Sequence, residues 1–265
     1  MILSLFRGLL DLGFAAAGTF LFLSLALAIE MGYRLGHRRV VRHRASSDET
    51  PGITTLTAAM LGLLAFTLSL SIGFAQNRYE ARRGLVMAEA NAIGTAWLRA
   101  KLIDGEESLE IRTKIVEYAK ARLAFTTAAS DADALLAVAQ AGTLQTDIWR
   151  AVQVVSHRSP NPVTTALISA LNDMFDAAAS QRFAYQSGVP TNLVLALYFA
   201  ALLTIGALGY QFGVAGHRQE ILSLLLLLMW SGGILLIVDL SKPRMGDIGV
   251  EAEPLVWAIE GFDRK

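Results

Sequence analysis

The sequence predicts an all-α membrane protein with four transmembrane helices and a helical extramembrane domain inserted between helices 2 and 3. Three observations support this fold class. Hydrophobic residues make up 54% of the 265 residues and charged residues only 17%, against roughly 25% charged residues in soluble domains. Four apolar runs have the length that spans a bilayer core as a helix. A polar segment of ordinary soluble composition separates the second run from the third.

The apolar runs define the four membrane helices, which we predict at 11–31, 53–75, 190–214 and 220–240. A backbone inside lipid must satisfy its own hydrogen bonds, so helix is the expected form. The first run exceeds the apolar core of a signal peptide, and we expect it to be retained. Within the apolar stretches 12–31 and 221–240, charge enters only at Glu30 and Asp239, near a helix end in each case. We expect both acids at the membrane interface, with Arg34 pairing with Glu30 at i+4.

Residues 76–189 form the predicted extramembrane domain, and residues 241–265 form a C-terminal tail. Helix-starting and helix-breaking residues divide the domain, and they predict helices at 106–128, 132–157 and 163–187. No turn signal separates the second membrane run from the first part of the domain. We therefore predict one continuous helix over 53–103.

Composition excludes several classes of function. The net charge is zero, which gives no electrostatic support for nucleic-acid binding. The absence of cysteine excludes disulfides and thiolate metal sites. Motifs of nucleotide-binding proteins, serine hydrolases and zinc proteases are absent, and the histidines are not spaced as metal ligands. We expect no enzymatic activity, cofactor or metal, and the lipid bilayer as the first partner.

One face of the second membrane helix carries only small or polar side chains. Projected at 100° per residue, this face comprises Thr54, Ala58, Gly62, Ala65, Ser69, Gly73 and Gln76. We call these residues the small-residue stripe. It is a candidate pore lining if several copies surround an axis. The alternative is close packing against the third membrane helix, because small residues let two backbones approach. Packing considerations alone favour the alternative, with glycines of the third helix as partners, namely Gly206, Gly209, Gly213 and Gly216.

Charged residues follow the stripe directly. The candidate pore-mouth residues are Arg78, Glu80, Arg82 and Arg83. Their simpler role is anchoring at the interface, with the arginines paired to Glu80 and Glu89. In an oligomer they would form an electropositive ring that concentrates inorganic anions. Such a ring requires self-association of the chain around its second helix.

The region around the end of the second membrane helix resembles the signature of the bestrophin-like domain family, a group of bacterial membrane proteins. The resemblance rests on the sequence GFAQNRYEARR at 73–83 and EANAIGTA at 89–96. It continues at 171–176 and in the C-terminal motif that begins at 239, so it covers nearly the whole chain. The resemblance implies a multi-pass protein of the bacterial inner membrane.

A more distant resemblance links the chain to bestrophin anion channels, whose second membrane helix lines the pore. Those channels carry a Gly-Phe pair followed by Arg-Trp-Trp-Glu-Ala-Arg, and here Gly73-Phe74 and 78–82 stand in similar order. The aromatic pair is reduced to Tyr79, and the tail has no recognisable calcium clasp. The resemblance implies a homo-oligomeric anion channel. The alternative is a non-conducting membrane scaffold or sensor whose helical domain binds a protein partner.

Two arguments disagree about which side of the membrane the extramembrane domain faces. The predicted loop over 32–52 carries the densest cluster of basic residues beside the membrane, namely Arg34, Arg38, Arg39, Arg42 and Arg44. The positive-inside rule places this loop in the cytoplasm and the domain outside. The resemblance to bestrophins implies the opposite. Long domains count little in the charge rule, so we give the short loop more weight.

Overall fold

The computed structural model describes residues 13–43, 50–241 and 248–263, and this part of the chain is all-α, without strands. The eight helices are α1 (Phe14–His43), α2 (Thr50–Ala100), α3 (Glu106–Thr126), α4 (Asp131–Arg158), α5 (Pro162–Gln186), α6 (Thr191–Ala215), α7 (Glu220–Ser241) and α8 (Glu253–Asp263). Four of the described helices are long and apolar enough to cross a membrane, namely α1, α2, α6 and α7. These observations confirm the all-helical class.

Helix boundaries inside the polar segment follow from caps that the sequence contains. Ser130 caps α4 by accepting a hydrogen bond from the backbone of Asp133 at 3.1 Å. Asn161 caps α5 in the same way, with the amide of Thr164 at 2.9 Å, and Pro162 occupies the first turn. A side-chain oxygen at the cap satisfies an amide that has no partner inside the helix. The predicted helix starts were correct here to within one residue.

Two predicted segments differ from the structure. The predicted loop over 32–52 is wrong for its first part, because α1 continues to His43. Its arginines are good helix formers, and its glycines pack against α6 as described below. Arg44 lies outside the described residues. The tail contains α8, an amphipathic helix of 11 residues that the sequence analysis did not predict.

The chain divides into two compact units. The first comprises the described residues of Met1–Arg78 and Val189–Ile248, and the second those of Tyr79–Gly188 and Gly249–Lys265. The first unit contains α1, α6, α7 and the first part of α2. The second contains α3, α4, α5, α8 and the last part of α2, around a core of buried apolar side chains. In this core Trp97 of α2 stacks on Phe262 of α8, with ring centroids 5.0 Å apart.

Glycines bring α1 and α6 into backbone contact within the first unit. A Cβ atom added to Gly209 of α6 would lie 2.8 Å from the carbonyl carbon of Ile29, and one added to Gly213 would lie 2.8 Å from the amide nitrogen of His37. Gly32 of α1 is equally close to the backbone of Tyr210. Real Cβ contacts are essentially never this short, so only glycine fits these positions. Both helices therefore contribute glycine to the same contact.

The partner of the α6 glycines was predicted wrongly. Gly206, Gly209 and Gly213 pack against α1, not against the small-residue stripe of α2. Gly216 does not belong to this contact. It follows the last residue of α6 with a φ of 77°, the left-handed conformation that ends many helices. The stripe of α2 therefore loses its expected packing partner.

A substitution at Gly209 tests the α1–α6 contact. Gly209→Ala forces a methyl group against the backbone of Ile29, and we expect a loss of about 1–3 kcal/mol, the usual range for overpacking. The measurement is thermal unfolding of the purified protein in detergent. Gly62→Ala is the matched control, because a Cβ atom there meets no atom of the described chain within 4 Å. Equal destabilisation by both substitutions would contradict this packing.

Candidate functional site

The structure places the small-residue stripe of α2 on the surface of the chain. All seven members are exposed. A Cβ atom added to Gly62 or Gly73 would meet no described atom within 4 Å, so this face is open around both glycines. The stripe touches α6 at Thr54, whose hydroxyl accepts a hydrogen bond from the Gln211 amide at 3.2 Å.

The face of α2 that packs inside the first unit lies elsewhere on the helix. Its buried residues are Thr57, Leu64, Ser71 and Ala75. Leu68 contacts α7, where a Cβ atom added to Gly233 would come within 2.9 Å of a Leu68 methyl carbon. The packing face of α2 therefore mixes leucine with small residues, whereas Gly62 and Gly73 are exposed on the other side.

A second exposed face of α2 carries large apolar side chains. Its members are Leu56, Leu63, Phe66, Leu70 and Phe74, exposed by 64%, 67%, 61%, 48% and 58%. We call these residues the large apolar face. At 100° per residue this face lies beside the stripe and does not overlap it. The outer surface of α2 is therefore divided into a small, partly polar half and a bulky apolar half, a division that the sequence analysis did not identify.

The structure separates the four candidate pore-mouth residues. Arg78, Glu80 and Arg83 are exposed. Arg83 pairs with Glu80 at 3.9 Å and with Glu251 of the C-terminal segment at 3.2 Å. Arg82 is only 2% exposed. Because its side chain is buried, Arg82 does not share the exposed surface of the other three residues in this chain.

Glu89 lies in a buried polar cluster of the second unit, not beside the arginines that follow the membrane segment. Its carboxylate accepts hydrogen bonds from Arg122 of α3, and the two side chains are 0% and 3% exposed. Arg122 also donates to the side-chain oxygen of Gln181 on α5. The amide of Gln181 in turn donates to the Thr126 hydroxyl at 3.0 Å. The predicted pairing of Glu89 with the arginines was wrong, since Arg122 occupies that role.

The buried cluster ties three helices of the second unit together. Desolvation raises the pKa of the Glu89 carboxyl, and the attraction of Arg122 opposes this shift. The guanidinium of Arg122 also lies 4.6 Å from the ring centroid of Phe125, which provides a further favourable contact for its charge. Each charge therefore depends on the other groups of the cluster for its solvation.

Removal of one charge tests the cluster. We expect Arg122→Leu to lower the free energy of unfolding by about 3–5 kcal/mol, because it leaves the Glu89 carboxylate buried without a counter-charge. The double variant Glu89→Leu/Arg122→Leu removes both charges and should lose less stability than Arg122→Leu alone. Urea or thermal unfolding in detergent measures both. A double variant that is no more stable than the single one would contradict this account.

The four long apolar helices define an α-helical membrane protein, and the comparisons with known proteins identify its family. The sequence model described as the Bestrophin-like domain matches residues 24–255. The chain therefore belongs to the bestrophin-like domain family. No curated protein sequence matches the chain.

Solved structures show the same fold at low sequence identity. A mutant bacterial bestrophin homologue from Klebsiella pneumoniae is 15% identical with a TM-score of 0.62, covering 92% of this chain and 96% of that chain. Another crystal structure of a Klebsiella pneumoniae bestrophin homologue is 15% identical with a TM-score of 0.60, covering 91% and 95%. A crystal structure of a membrane protein is 12% identical with a TM-score of 0.65, covering 93% and 96%. At these identities the likeness concerns the fold.

Proposed function

We propose that this chain is one subunit of a homo-oligomeric, bestrophin-like anion channel of the bacterial inner membrane, with the small-residue stripe of α2 lining the pore. The exposure of the stripe carries this proposal. Small and polar side chains such as Ser69 and Gln76 gain little from contact with lipid, and α6 uses its own glycines on α1. A water-filled axis between several copies would suit such a face.

The two exposed halves of α2 support the same arrangement. In an oligomer the large apolar face would meet lipid or a neighbouring copy, while the stripe would face the axis and leave room for ions. The second unit would be the extramembrane domain between the membrane segments of α2 and α6. The exposed Arg78 would increase the concentration of inorganic anions at the mouth of the pore, where Arg83 is held by Glu80 and Glu251. A channel performs no covalent chemistry, in keeping with the absence of catalytic motifs from the sequence.

Ser69→Leu tests the pore. The larger side chain should block chloride flux into liposomes, while the free energy of unfolding should change by less than about 0.5 kcal/mol because Ser69 is exposed. Ala59→Leu is the matched control, since Ala59 is exposed on the side of the large apolar face and gains a similar volume. It should retain most of the flux.

Chloride flux and stability of the wild type and the two variants distinguish a channel from a scaffold. Wild-type protein without chloride flux at any potential or pH tried would contradict the channel and favour a non-conducting membrane scaffold or sensor. Equal loss of flux in Ser69→Leu and Ala59→Leu would place the pore elsewhere. A large loss of stability in Ser69→Leu would show that the stripe is a packing surface after all.

Reporter fusions test the sidedness that the basic cluster predicts. Alkaline phosphatase is active only outside the cytoplasm. A fusion after Lys265 should therefore be active, and an insertion between α1 and α2 should be inactive, because the arginines near the end of α1 favour the cytoplasm. The opposite pattern would reverse the orientation and place the second unit in the cytoplasm.

A further inference from the structure

The last part of α1 carries a row of arginines on the side that faces away from α6. Gly32 and Gly36 pack against α6, so side chains about half a turn away point outward. Arg34 and Arg38 lie on this outward side, Arg42 follows one turn later and about 40° further round the helix, and all three are exposed. We call these three residues the basic stripe.

The same side of α1 is apolar before the arginines begin. Leu23, Leu27 and Met31 are exposed by 59%, 61% and 55%, and they also follow a four-residue spacing. The helix has 30 residues. Its length is therefore about 45 Å, against roughly 30 Å for the hydrocarbon core of a bilayer. An exposed row that changes from leucine to arginine towards the end of such a helix matches the change from acyl chains to headgroups.

Neighbouring acidic groups neutralise only part of this charge. Glu30 of α1 pairs with Arg34 at 2.7 Å and with Arg218, from the segment before α7, at 3.1 Å. One carboxylate is thus shared by two guanidinium groups. Glu220 follows in the first turn of α7, but within the described residues no carboxylate forms an ion pair with Arg38 or Arg42. Among the described residues, the end of α1 therefore carries more exposed positive than negative charge.

We propose that the basic stripe binds the phosphate groups of anionic phospholipids in the leaflet where α1 ends. Charge complementarity selects this partner, because a guanidinium group donates two parallel hydrogen bonds to a phosphate and attracts net negative charge. Zwitterionic lipids offer the same phosphate without the net charge. This inference does not depend on the channel, since a non-conducting membrane scaffold would present the same surface to the bilayer.

Lipid titration tests the proposal with the purified full-length protein in neutral detergent. Native mass spectrometry counts bound phosphatidylglycerol and phosphatidylcholine in separate titrations. Wild type should bind phosphatidylglycerol more tightly. Each arginine near an anionic surface contributes about fivefold to apparent affinity, so Arg38→Gln/Arg42→Gln should bind phosphatidylglycerol about 30-fold more weakly. Binding of phosphatidylcholine should not change.

Two further double variants test whether lipid binding depends on the position of the arginines and on their charge. Lys120→Gln/Arg182→Gln removes the same charge from exposed positions on α3 and α5 and should keep the wild-type affinity. Arg38→Lys/Arg42→Lys keeps the charge and should keep most of the preference for phosphatidylglycerol. Thermal unfolding without lipid should be unchanged in every variant, because all four altered positions are exposed.

Four results would overturn the proposal. The first is equal binding of the two lipids by wild type, and the second is an unchanged affinity of Arg38→Gln/Arg42→Gln for phosphatidylglycerol. The third is the same loss of phosphatidylglycerol affinity in the Lys120→Gln/Arg182→Gln control. The fourth is displacement of the lipid by an equal concentration of inorganic phosphate. The last result would indicate a site for a free anion. A changed oligomeric mass in the arginine variant, with lipid binding intact, would instead assign the stripe to a contact between copies.

Discussion

The backbone contact between α1 and α6 is the constraint on which the first unit depends. Lipid supplies no hydrophobic driving force between helices, so their association rests on close packing, and glycine permits the closest approach. Gly32 and Gly36 on one helix and Gly209 and Gly213 on the other all serve this contact. Because the α6 glycines contact α1, they are not available to the small-residue stripe of α2, which is exposed. The surface that we propose as a pore lining is thus a consequence of which helices pair.

The helices were predictable wherever a local signal marks them. Long apolar runs identified the membrane segments, and Ser130 and Asn161 identified two helix starts. The end of α1 was not predictable in the same way, because its arginines suggested a loop at the membrane surface. Contacts of Gly32 and Gly36 with α6 support the continued helix, and they are visible only in three dimensions. Helix α8 escaped prediction because its anchor, the buried Leu255 in the core of the second unit, is visible only in three dimensions.

The candidate site shows a similar limit. Helical spacing was sufficient to find the small-residue stripe, since every member follows from the projection of one helix. It was not sufficient to decide what the stripe faces, because the glycines of α6 could pack against the small residues of α2 or against the glycines of α1. The pairing of Glu89 with Arg122 spans 33 residues of sequence and was equally invisible. The arginines close to Glu89 in the sequence suggested a local partner. In the structure the Glu89 carboxylate is buried beside Arg122 instead.

The distance in sequence between the two glycine faces has a consequence for biosynthesis. Gly32 and Gly209 are 177 positions apart (209 minus 32). At about 5–20 residues per second, a ribosome adds the second face roughly 10–35 s after the first. During that interval α1 is in the bilayer without α6, and its glycine face is open to any other helix that diffuses past. The order of synthesis therefore exposes this protein to wrong pairing inside the membrane until most of the chain has been made.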